Sequence, residues 1–101
     1  MDEIRFSNNW NNKLDCNAFT TIRIASKKYV VGHEYEIITP TKRFTGKVIQ
    51  IKNFWLHNMN DYIAYLDTGY NTKDCTDILR RMYQSVDFQK TPLSLILIVK
   101  Q

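Results

Sequence analysis

Thr21 and Arg23, in the run Phe19-Thr20-Thr21-Ile22-Arg23-Ile24, are the residues of this chain best suited to chemistry. In a strand, alternate side chains share a face, so the hydroxyl and the guanidinium stand side by side while Ile22 and Ile24 anchor the other face. A fixed guanidinium beside a hydroxyl suits a phosphate, a carboxylate or the edge of a base. An ordinary strand with a solvated arginine would read the same way. The surroundings must decide.

Other chemistry is sparse. His33 and His57 lie far apart without cysteine or carboxylate partners at ligand spacing, so no metal site is expected. The three glycines are not clustered, which excludes a phosphate-cradling loop, and no cofactor is implied. Cys16 and Cys75 lack Cys-x-x-Cys spacing and read by default as reduced thiols, with a pairing between them left open by the sequence. Cys75 falls in the first turn of an expected helix, where a thiol pKa can drop, but its apolar stripe argues for simple burial.

The 101 residues, 44% hydrophobic, suffice for one domain with one core, spanning 1–101. The longest apolar run, Leu93 to Val99, is far short of the ~20 residues a membrane span needs. The Met-Asp-Glu-Ile start lacks a signal-peptide pattern, so a cytoplasmic chain is expected. The net charge of +4 favours a polyanionic partner without demanding one. Basic residues come as short pairs, Lys27-Lys28, Lys42-Arg43 and Arg80-Arg81, which only the fold could bring together.

The elements that must position these residues follow from periodicity. A brief strand around Ile4 to Phe6 precedes an Asn-rich loop at Asn8 to Asn12, and a short helix can form before Phe19. Strands are expected at 19–24, 34–39 (ended by Pro40) and 46–54, with a basic loop from Lys27 to His33. Leu56, Met59, Tyr62, Ile63 and Leu66 then recur at helical spacing and predict a helix over 56–68. Thr72 is the expected N-cap of a second helix over 73–84, with Cys75, Ile78, Leu79, Met82 and Tyr83 on its apolar stripe. Leu93 to Val99, apolar on both faces, predicts a central closing strand. An α+β sheet curled toward a barrel and covered by two helices is the natural packing.

That order, together with Thr21-Ile22-Arg23, the loop bearing Lys27 and Lys28, Gly32 opening the next strand, and Ala64-Tyr-Leu-Asp67-Thr-Gly69-Tyr70, resembles the ASCH family of the PUA-like superfamily. The resemblance covers roughly residues 4 to 99. It implies a β-pseudobarrel of about five to six strands, with two helices between the fourth and last strands and a cleft. Such proteins mostly bind RNA or modified nucleotides, and some small members are amidohydrolases that deacylate acetylated cytidine. In that activity a lysine three residues before the threonine, the threonine and a helical glutamate form the proposed catalytic set. Thr21 and Arg23 match; Asp67 stands where the glutamate would be, and Ala18 where the lysine would be.

Ala18 cannot act as a base, so hydrolysis using Thr21, Arg23 and Asp67 is not expected unless Lys13 or Lys28 reaches the cleft. Arg23 and Asp67 could form an internal ion pair, or Asp67 could accept from an exocyclic amine of a base. The expectation is a cleft binding RNA or a modified nucleotide through Thr21, Arg23 and Asp67, with Lys27 and Lys28 near phosphates. Of the aromatics Trp10, Tyr29, Trp55 and Tyr70, the sequence favours Trp55 and Tyr70 as stacking platforms. A protein-interaction module with a vestigial cleft is a third reading.

Overall fold

A 12-residue strand, long enough to bend around a core, organises the sheet. The computed structural model describes residues 1–101 and contains strands β1 (Glu3–Arg5), β2 (Ala18–Ile24), β3 (Glu34–Ile38), β4 (Arg43–Phe54) and β5 (Leu93–Lys100). Their order is β1-β3-β4-β5-β2, antiparallel except for the parallel β1–β3 pair. β5 lies between β4 and β2, the central place its two apolar faces require. A register shift between Val48 and Gln50 leaves Ile49 unpaired in β4, as in a β-bulge, which bends a strand and increases its twist.

The curled sheet is a half-barrel. Ile4, Leu14, Phe19, Tyr35, Ile37, Val48, Ile96 and Ile98 fill its interior. Its two edge strands, β1 and β2, are not hydrogen-bonded to each other. Side chains bridge the seam instead: the Phe6 ring meets Phe19 edge-on at 5.7 Å, and Arg23 Nη2 donates to the Arg5 carbonyl at 2.6 Å.

Two helices, α1 (Asp61–Thr68) and α2 (Thr72–Met82), precede β5. Ile22, Leu56, Ala64, Cys75, Leu79, Phe88 and Leu93 make a second core beneath them. The single helix expected over 56–68 is broken. Leu56–Asn58 is a 3-10 turn, Met59 is extended, and Asn60 begins α1 by accepting from the Ile63 N–H at 2.9 Å. That cap sets the phase, turning Ala64 and Asp67 inward and leaving Tyr62 and Leu66 exposed. Asn71, not Thr72, caps α2, accepting from the Asp74 N–H at 2.9 Å. No helix is long and apolar enough to cross a membrane.

Gly46 shows how tightly the half-barrel closes. A Cβ there would lie 2.6 Å from Ile98 Cγ2 and 3.0 Å from Ile37 Cγ1, both in the packed interior. Gly46→Ala should therefore lower the unfolding free energy by about 1–3 kcal/mol, the usual cost of overpacking. Urea denaturation checks this.

Candidate functional site

The seam between the edge strands holds a cleft of about 150 Å³, and every charged residue of interest lines it except the loop lysines. Three local structures build it. On β2, Thr21 and Arg23 share a face, and Arg23 Nε donates to Thr21 Oγ1 at 3.0 Å. The guanidinium carbon sits 4.7 Å from the Phe6 ring centroid, a cation–π contact. Of its five N–H donors, these contacts use two, leaving the others for the cleft.

The second structure is the 3-10 segment Trp10–Asp15. Asn9 Oδ1 accepts from the Leu14 N–H at 2.8 Å, and Asn11 and Asn12 adopt positive φ, which asparagine tolerates better than most residues. Leu14 is fully buried in the half-barrel, so the chain direction of Lys13 is set by its neighbour. The third is the end of α1. Gly69 closes that helix at φ 80°, and a Cβ on it would come within 2.9 Å of Asn11. Gly69 thus lets the helix end abut the 3-10 segment, which brings Lys13 to Asp67.

Lys13 Nζ lies 3.0 Å from Asp67 Oδ1, with the two side chains only 12% and 7% exposed. Thr20, from the opposite face of β2, donates its hydroxyl to the same carboxylate oxygen at 2.9 Å. Burial, only partly offset by the attraction of Asp67, holds the Lys13 ammonium below the usual lysine range, and the Arg23 charge adds to the lowering. Arg5, Lys13, Arg23 and Asp67 line the cleft; Arg5 is paired with Glu3 and Lys13 with Asp67, so Arg23 supplies the excess of positive charge.

Thr21, Arg23 and Asp67 therefore meet in one cleft. The ion pair allowed between Arg23 and Asp67 does not form: Lys13 takes the carboxylate, while Arg23 bonds Thr21 and the Arg5 carbonyl. Ala18 is the exposed first residue of β2, and the cleft's ammonium comes from Lys13 instead. Lys27 and Lys28 lie in the turn after β2, outside the cleft, with Lys28 Nζ 5.8 Å from the Tyr29 ring. Trp55 also lies outside it, stacked with His57 at 6.4 Å beside the 56–58 turn. Tyr70 meets Trp10 edge-on at 5.8 Å and lines an adjoining open groove with Asp74, Asp77 and Arg81; Trp10 borders both spaces.

Thr20 and Phe6 are the site residues that sequence reasoning leaves out, and Lys13 enters it only as one of two lysines able to reach the cleft. Lys13 had one signal: it is the only basic residue in an Asn-rich stretch and stands next to an apolar anchor. Cys75 is buried, and desolvation pushes its thiol up rather than down. No cluster of three His, Cys, Asp or Glu residues offers a metal site. Compared with protein families, curated proteins and solved structures, the chain shows no match.

Proposed function

We propose that this cleft binds the base of a nucleotide, free or within RNA, in a PUA-like half-barrel of the ASCH type. The observation that carries the reading is the convergence of Arg23, placed over Phe6, with Thr21 and the Lys13–Asp67 pair in one net-positive pocket. At about 150 Å³ the cleft has room for roughly five waters, which suits one planar group and not a whole nucleotide. Sugar and phosphate would lie at the mouth, where Arg5 and the free donors of Arg23 supply positive charge.

Titration of a short single-stranded RNA and of single nucleosides tests this. Binding to RNA should weaken as salt rises, with a log–log slope of about −0.7 for each phosphate contacted. No binding to any RNA or nucleoside at low salt would favour the protein-interaction reading.

A second reading, deacylation of a nucleoside such as acetylcytidine, gains support from Lys13. The ammonium missing at Ala18 is present from another element, beside a carboxylate and two threonine hydroxyls. Paired with Asp67, it would stabilise negative charge developing on the amide oxygen rather than act as a base. Release of acetate from N4-acetylcytidine, lost by about 100-fold or more in Lys13→Met, would establish this activity. Background turnover would leave the binding function.

A further inference from the structure

The cleft is lined by backbone as well as side chains, and that backbone has an unused edge. Lys100 N–H donates to the Asn17 carbonyl and Ala25 N–H to the Pro92 carbonyl, which fixes the phase of the β2–β5 ladder. Phe19, Thr21 and Arg23 therefore exchange hydrogen bonds with β5, and the N–H and C=O groups of Thr20, Ile22 and Ile24 point away from it. β2 is an edge strand, so no strand receives them. Ile22 is only 4% exposed and lines the cleft, yet the ladder phase gives its N–H and C=O no partner in β5 and no side chain bonds to either. Buried backbone groups of this kind are nearly always paired, and leaving them bare costs about as much as a lost hydrogen bond.

We infer that the Ile22 N–H and C=O are the base-reading groups of the cleft and take the hydrogen-bonding edge of a pyrimidine. The inference rests on the reading of the cleft as a nucleobase site and names the part of the ligand that enters it. One residue on a strand edge presents a donor and an acceptor side by side. Uracil meets them with its N3–H and a neighbouring carbonyl, cytosine with N3 and its exocyclic amine. The small volume favours a single ring. An extended peptide adding to β2 would need the same edge over several residues. The Arg23–Arg5 bond already spans the seam at the residue after Ile22.

Amide hydrogen exchange on the ¹⁵N-labelled protein, alone and with uridine, cytidine and their N3-methylated forms, tests the inference. In the free protein the Ile22 amide should exchange much faster than those of Thr21 and Arg23. Uridine or cytidine should slow it at least 10-fold, and N3 methylation should weaken binding at least 10-fold. An Ile22 amide already protected in the free protein would overturn the inference. So would equal binding of the N3-methylated nucleosides with Ile22 exchange unchanged, although the nucleobase site itself would then stand. A peptide that protects Thr20, Ile22 and Ile24 together would overturn it in favour of strand addition. If neither RNA nor any nucleoside binds, the inference and the proposed function fall together.

Discussion

Asp67→Asn should destabilise the protein by about 3 kcal/mol, the low end of the cost of breaking a buried ion pair. The substitution keeps the shape of the side chain and removes its charge. Lys13, 12% exposed, is then left as a desolvated ammonium beside the Arg23 charge, and the Thr20 hydroxyl loses its ionised acceptor. The double variant Lys13→Met with Asp67→Leu should recover most of the loss, because well-packed apolar residues often replace a buried pair without penalty. If it folds stably yet no longer binds a nucleoside, the pair serves the site rather than the fold.

The pH dependence has a definite sign. The native state holds the Lys13 proton less tightly than the unfolded chain, so ionised Lys13 opposes folding below its lowered pKa. That opposition fades as pH rises toward 10.5, the unfolded lysine value. The stability of the wild-type protein relative to Lys13→Met should therefore increase from neutral pH into that range. Urea melts across pH read both effects.

Arg23→Ala should weaken nucleotide binding by about 10- to 100-fold, consistent with the 1–3 kcal/mol carried by a well-placed charged hydrogen-bonding group. Arg23 combines three roles: it lines the cleft, lies over Phe6 and ties β2 to the Arg5 carbonyl across the seam. Because the seam bond is also lost, thermal denaturation must accompany the binding measurement. Lys73→Ala is the control. Lys73 is exposed on α2 and paired only with Asp77, so its removal should leave affinity nearly unchanged. Equal losses from the two variants would mean diffuse attraction to a basic surface with no defined site.

Much of this architecture is legible in the sequence. The apolar run Leu93–Val99 and the pattern of Cys75, Ile78 and Leu79 specify a central strand and an amphipathic helix through burial alone. Thr21 and Arg23 are legible for the same reason, since strand alternation fixes their common face. What periodicity does not reveal depends on chain breaks and long-range packing. Leu56 to Leu66 has helical spacing throughout, but the Asn60 cap restarts the helix and decides that Asp67 faces inward. Lys13 lies 54 residues from Asp67, and its approach requires positive-φ asparagines, a buried Leu14 and a glycine at the end of α1. None of these has a periodic signature. Residue type and position along the chain favour Trp55 and Tyr70 for stacking; neither lines the cleft, because the 56–58 turn and the Trp10–Tyr70 contact carry them elsewhere.

Backbone and side-chain NMR shifts of the labelled protein during titration with uridine and cytidine test the central claim most directly. A nucleobase site in the seam predicts saturable shifts concentrated at Phe6, Lys13, Thr21, Ile22, Arg23 and Asp67, with Lys27, Lys28 and Trp55 essentially unmoved. Saturable shifts centred on Lys27, Lys28 or Trp55, with the seam residues unchanged, would contradict it.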